Sequence, residues 1–230
     1  MTAEPVRVVI AKAPEPGRVK TRLCPPLLPA QAADLAAAAL LDSLDAAGPG
    51  AVVALTGRLA GAACGAAVRR ALATRTVVRQ RGTSLGRRIA AAHADAAALA
   101  PGRPTLQIGM DTPQVDPAML ADAARMLAGA DAVLGPAADG GWWALGLRRP
   151  ADAAVIAEIP TSRADTGERT LAALRAAGLR VVLLAELTDV DTAPDAVAVA
   201  VAAPGTRFAA AVRALPGLTT LTAARAQPRR

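Results

Sequence analysis

The chain has 230 residues, 26 Lys and Arg against 19 Asp and Glu, a formal charge of +7 and a pI near 11.0. Hydrophobic types make up 53% and charged types 20%, which excludes disorder throughout and is enough for a sizeable core. Charges, Gly or Pro interrupt every apolar run before it reaches membrane-spanning length, and the two cysteines are too few for a disulfide scaffold or a zinc site.

A strand pattern starts at Val6, so no secretory signal is expected, and the chain reads as a soluble, cytoplasmic protein that does not bind membranes. Nucleic acid is also excluded as a partner. Five of the seven surplus charges lie in an acid-free tail (Arg207, Arg213, Arg225, Arg229, Arg230), and aromatic residues for base stacking are only 1% of the chain.

Short apolar runs alternate with Ala-rich stretches, the pattern of βα units around a mostly parallel sheet. Val6 to Ala11 reads as a strand, and Lys12 to Pro29, broken by Pro14, Pro16, Gly17, Pro25 and Pro26, as a long loop. A helix over 30–47, a strand over 51–55, a helix over 60–72 and a short strand over 76–78 follow. Ser84 is a fitting N-cap for a helix to Leu99. Strand 105–110 ends at Asp111, and Asp116-Pro117 opens another helix. Strands 130–135 and 142–147 are joined so briefly that they should pair antiparallel inside the parallel sheet. A helix over 163–177, a strand over 180–184 and a helix from Pro194 complete the pattern. One α/β domain is expected over 1–203, with a C-terminal helix and a basic, fraying tail over 204–230.

In open α/β sheets ligands sit beyond the carboxyl ends of the strands, and three polar clusters fall there. The first, Ala11 to Leu23, carries Pro14, Gly17, Lys20, Arg22 and, with Lys12 and Lys20, the only lysines of the chain. Backbone N–H groups and cations in such a loop suit polyphosphate, although an ordinary solvated loop has the same composition. The second is Gln107 to Pro113, where a buried strand ends in Asp111. The third is Asp189-Val190-Asp191-Thr192, whose alternate carboxylates share a side if extended and otherwise cap the last helix. Hard divalent cations, Mg2+ or Mn2+, use one or two such carboxylates with phosphate and water. Between these clusters, Asp139-Gly140-Gly141 precedes the only two tryptophans, Trp142-Trp143. That run suits a tight hairpin turn, a pocket wall or a core anchor.

Together the loop Lys12 to Leu23, Gly109 to Pro113, Gly135-Pro136 with Asp139-Gly140-Gly141, and Asp189 to Thr192 resemble the DUF2064 family. That family carries an arsenosugar-biosynthesis-type glycosyltransferase label within the nucleotide-diphospho-sugar transferase (GT-A) superfamily. The resemblance implies a Rossmann-like three-layer α/β/α sandwich, a divalent metal and a nucleotide-sugar or nucleoside triphosphate donor. It assigns the donor phosphates to Lys12, Lys20 and Arg22 within the loop that includes Ala11, Pro14 and Gly17. Asp111 takes the metal-binding position with Asp191, and Asp189 lies beside it. Gln80 and Ser84-Leu85-Gly86 match a segment near the base, with Ser84 in place of an acid. Trp142-Trp143 replaces a pair that is usually tyrosine, and Thr161-Ser162 stands for an acceptor-side segment.

On this reading Lys20 and Arg22 stabilise charge on the leaving diphosphate. Asp139 orients or deprotonates the hydroxyl of a small-molecule acceptor held by Asp139, Gly140, Gly141, Trp142, Thr161 and Ser162. Glycosyl transfer is expected, with nucleotidyl transfer to a phosphorylated acceptor and a non-catalytic nucleotide-binding module as rivals. His93 and Cys24 are read as packing residues without a catalytic role. The acid-free stretch Arg69 to Arg88 is read as solvated surface, with Arg87 or Arg88 open to a nucleotide.

Overall fold

A computed structural model describes residues 3–218; the tail over 219–230 lies outside them. Seven strands form one sheet: β1 (Val6–Lys12), β2 (Val52–Thr56), β3 (Thr76–Arg79), β4 (Thr105–Ile108), β5 (Ala132–Pro136), β6 (Trp142–Leu147) and β7 (Val181–Leu183). Their order is β3-β2-β1-β4-β6-β5-β7, with β6 antiparallel to both neighbours and every other pair parallel. The short β5–β6 connection is thus the antiparallel hairpin expected from its length.

Strand alternation sorts the core into two faces. Val9 and Ala11 of β1 and Leu106 and Ile108 of β4 pack against α1 (Pro29–Ala47), α2 (Gly65–Leu72) and α4 (Pro117–Ala128). On the opposite face Val6 and Val8 meet α3 (Leu85–Leu99), and Leu134, Leu145 and Leu147 meet Ile89 of α3 and Leu174 of α5 (Thr166–Ala176). The architecture is therefore a three-layer α/β/α sandwich of Rossmann-like type. The outer side of α1 carries α6 (Ala193–Ala202) and α7 (Arg207–Arg213), which bury Leu35 and Ala39 against Val197, Phe208 and Val212. Asp42 of α1 ties α7 down by accepting from the backbone N–H of Arg207 (3.1 Å) and Phe208 (2.8 Å).

Caps act where the sequence placed them. Ser84 Oγ accepts from Arg87 N and Asp116 Oδ1 from Met119 N. Two helices are shorter than their composition predicts, and tertiary contacts explain both. Ala63 N is drawn to Pro14 O (2.9 Å) and Cys64 adopts φ 49°, so the span 60–72 divides into a 3-10 turn at Leu59–Gly61 and α2. The helix predicted from Arg163 begins at Thr166, because Ser162 has φ 61° and Arg163 N donates to Thr166 Oγ1. A 3-10 segment over Pro150–Ile156, which no pattern announced, packs under α3. There a side chain at Gly86 would press on Ile156 O at 2.5 Å.

His93 is wholly buried on α3, with Nδ1 2.7 Å from Thr105 Oγ1, and burial pushes its pKa down to about 4. Cys24 is half-buried against the α6–α7 cluster. No helix among the described residues is long and apolar enough to cross a membrane.

Candidate functional site

The carboxyl ends of β1 and β4, together with the segment after β7, meet at a wall formed by Asp111, Asp191 and Arg22. One cleft opens on each side of that wall. The smaller, of about 270 Å³, is lined by Lys12, Arg18, Lys20 and Thr21. The larger, of about 590 Å³, is lined by Ile10, Ile89, Gln107, Asp139, Trp142 and Ser162 among others.

The basic side folds locally. Gly17 takes φ 71° and Lys20 φ 48°, which turns the loop so that Lys20 points back under the strand ends. Lys20 Nζ lies 2.7 Å from Asp111 Oδ1 and 3.4 Å from Asp191 Oδ1, and its side chain is only 9% exposed. Burial alone would lower its pKa, but the charge and hydrogen bond of Asp111, with Asp191 and Asp189 behind it, raise it. Arg22 Nη1 donates to Asp191 Oδ2 at 2.8 Å. Lys12 Nζ donates to Arg18 O at 2.6 Å, at the mouth of the cleft. Residues 20, 111 and 191 thus share one place despite their distance in the chain.

Asp189 and Asp191 do not cap α6. Thr192 does so, accepting from Asp195 N, while Asp195 Oδ2 accepts from Thr192 N in return. The two aspartates are left to face the larger cleft, where Asp139 joins them. Carboxylate oxygens of Asp139, Asp189 and Asp191 lie within 4.8 Å of one another. Burial, then the charges of Asp139 and Asp191, push the Asp189 pKa up to about 6, against the pull of Lys20. Of the predicted metal set, Asp189 and Asp191 belong to this cluster, whereas Asp111 is held by Lys20.

The hairpin that carries Asp139 is fixed from behind. Gly140 has φ 86°, a Cβ there would overlap the Ala164 carbonyl, and Gly167 N at the start of α5 donates to Gly140 O at 2.7 Å. Asp139 Oδ1 accepts from Gly141 N (2.7 Å), which orients the carboxylate. The tryptophans divide their labour. Trp143 is 4% exposed and donates through Nε1 to Ala185 O, whereas Trp142 is half-buried as a cleft wall. Thr161 and Ser162 line the same cleft.

Gln80 is not on either wall. Its Nε2 donates to Ala11 O and Ala54 O, both at 2.8 Å, bracing β1 against β2. Arg87 pairs with Glu158, and Arg88 donates to Gly82 O. Two residues of the larger cleft carry no assigned role from sequence: Gln107 and Thr112, each 2% exposed. A glutamine between the leucine and isoleucine of a central strand was the available signal.

The profile of the family described as an uncharacterized protein conserved in bacteria (DUF2064) matches residues 40–163, just over half of the chain. No curated protein sequence matches. Among solved structures, a protein of Desulfovibrio desulfuricans G20, provisionally assigned as a nucleotide-diphospho-sugar transferase, is 26% identical with a TM-score of 0.80. The match covers 96% of this chain and 98% of that one. Rv0371c of Mycobacterium tuberculosis H37Rv shares the fold at 23% identity and a TM-score of 0.51, over 85% of this chain and 96% of its own. Its manganese complex matches at 23% identity and a TM-score of 0.50, over 84% and 96%. The chain therefore belongs to the DUF2064 family.

Proposed function

We infer that this chain is a transferase that takes a nucleotide-activated donor, most simply a nucleotide-diphospho-sugar, and passes the sugar to a small acceptor hydroxyl. The observation that carries this reading is the shared wall. Lys20 sits between Asp111 and Asp191, with a cationic cleft on one side and a tryptophan-walled, carboxylate-bearing cleft on the other.

The donor diphosphate would lie along Lys12, Lys20 and Arg22. The raised pKa of Lys20 keeps its ammonium charged through neutral pH, so it holds a positive charge against the leaving diphosphate. Ala11, Pro14 and Gly17 would act by shaping the loop that brings Lys12 and Lys20 to that cleft, while Gln80 and Gly86 would act on the base side through their packing. In the larger cleft Asp139, fixed by Gly141 N through one oxygen, turns the other to the acceptor hydroxyl and takes its proton. Gly140, Gly141, Trp142, Thr161 and Ser162 shape the acceptor seat.

The donor set around Asp189 is all carboxylate oxygen, with the Asp189 pKa raised by burial and by the neighbouring charges of Asp139 and Asp191, and this suits a hard divalent cation. Mg2+ or Mn2+ held by Asp189 and Asp191, with Asp139 or Asp111, would supply charge neutralisation for the leaving diphosphate. Rv0371c, which shares the fold, has a manganese complex.

The provisional assignment of the Desulfovibrio protein supports glycosyl over nucleotidyl transfer. Arsenosugar-type chemistry is the finer label that the sequence resemblance adds, and a cytoplasmic location accords with a nucleotide donor. The test is a thermal-shift panel of nucleoside di- and triphosphates and nucleotide sugars with and without Mg2+ or Mn2+, since a ligand of the native state raises its melting temperature. The largest shift is expected for a diphosphate-bearing ligand with metal, and it should vanish in Asp111→Ala. Metal-independent behaviour with every ligand would overturn the assignment.

A further inference from the structure

The larger cleft has a floor that the transferase reading does not use. Gln107 stands on β4 opposite Val8 of β1 and Leu145 of β6, near the carboxyl ends of the central strands. Leu106 and Ile108 face α1 and α4, so alternation turns Gln107 to the α3 side, where Ile10 and Ile89 also line the cleft. Gln107 is only 2% exposed, and its Oε1 has no hydrogen-bond partner among the described residues. Thr112 Oγ1, equally buried and lining the same cleft, also lacks one. Leaving a buried amide oxygen without a donor costs folding free energy, and an apolar residue of similar shape would avoid that cost. Both residues line one cavity, and a ligand whose polar edge reached them would complete the two groups.

The cleft also restricts the kind of ligand. Its volume, about 590 Å³, lies in the range of small-molecule sites. Trp142, Ile10 and Ile89 offer apolar walls against which a ring can lie. The carboxylates of Asp139, Asp189 and Asp191 cluster at one end. The cleft's lining carries five aspartates, Asp111, Asp139, Asp189, Asp191 and Asp195, against two arginines: Arg22, on the shared wall and assigned to the donor diphosphate, and Arg163, which pairs with Asp165 (3.0 Å). No unpaired cation among the described lining residues is left to meet a phosphate or carboxylate, whereas carboxylates accept well from hydroxyls.

We propose that Gln107, with Thr112, reads the acceptor, and that the acceptor is a neutral, hydroxyl-bearing ring of sugar size rather than a phosphorylated one. This rests on the transferase reading and narrows its substrate class. Gln107 Oε1 accepts from a ring hydroxyl at the cleft floor, with the ring against Trp142 and the reacting hydroxyl toward Asp139.

Trp142 and Trp143 are the only tryptophans and there is no tyrosine, so intrinsic fluorescence reports on this cleft. Wild type and Gln107→Leu are titrated with the methyl pyranosides of glucose, galactose and mannose and with glucose 6-phosphate, all with Mg2+. At least one neutral pyranoside should change wild-type emission saturably and bind more tightly than glucose 6-phosphate. In Gln107→Leu that affinity should fall about tenfold or more, while the melting temperature holds or rises because an unpartnered buried amide oxygen has gone. Wild-type affinity in the variant, tighter binding of the phosphate, silence with every pyranoside, or a melting temperature lowered by more than about 5 °C would each overturn the proposal. The nucleoside-diphosphate shift with Mg2+ is measured on the same samples. If it persists while the sugars fail, only the acceptor assignment falls; if it is absent, the transferase reading falls.

Discussion

The two clefts that meet at Asp111 and Asp191 are built in opposite ways. The basic cleft takes Lys12, Arg18, Lys20 and Thr21 from one continuous loop, and its shape is set by local turns at Gly17 and Lys20. The larger cleft is drawn from β1, α3, β4, the β5–β6 hairpin, the segment before α5 and the residues before α6. Its acids converge only because α5 pins the hairpin and Thr192, not Asp191, caps α6. A charged loop is thus a local product of sequence, while a carboxylate cluster with an unmade pKa balance requires the whole fold to hold like charges together.

The largest expected effect separates wall from core on the second side. Trp143→Ala should lose about 3–5 kcal/mol of stability, since a buried indole and its bond to Ala185 O disappear. Trp142→Ala should cost about 1 kcal/mol and instead remove the ligand-dependent emission change. Urea unfolding of both variants checks the split, and equal losses would dissolve the distinction between anchor and wall.

Asp191→Ala tests whether the clefts are one machine. It should abolish the metal-dependent shift and reduce turnover about 100-fold, because the residue serves both sides. Loss on one side alone would mean two independent sites.

The third expectation concerns pH. The Asp189 pKa rises on folding from 3.8 to about 6, so the native state holds its proton more tightly than the unfolded chain. Stability from this group is therefore present in acid and lost as pH climbs from about 4 to about 6. The loss is about 1–2 kcal/mol once partial solvent access is allowed for. Asp189→Asn should flatten the melting temperature across that window, and a carbon-detected titration of wild type should place the carboxyl near 6. Lys20→Met should move it higher still, since Lys20 holds it down.

The smallest effect belongs to the exposed rim of the basic cleft. Lys12→Gln should weaken nucleotide binding about fivefold and leave divalent-cation binding unchanged. An equal loss of both would tie Lys12 to the carboxylates, which its bond to Arg18 O does not suggest.

What the residues dictated alone was whatever depends on neighbours in the chain. That covers the βα alternation, the hairpin between β5 and β6, the caps at Ser84 and Asp116, and the cationic loop with the chain's only lysines. Long-range contacts decided the rest. Lys20 was legible as a phosphate ligand but not as the counter-charge of Asp111 and Asp191, because no local pattern encodes a pairing across 171 positions. Asp139 joined the carboxylate cluster only through the clash-free approach of Gly140 to Ala164. Strand alternation, once the sheet order was known, sent Trp143 to the core and Trp142 to the cleft, and turned Gln107 away from solvent toward its floor. Local preference fixes which elements form; burial of charge and amide is a property of the packed molecule, because only packing removes the water that would otherwise satisfy them.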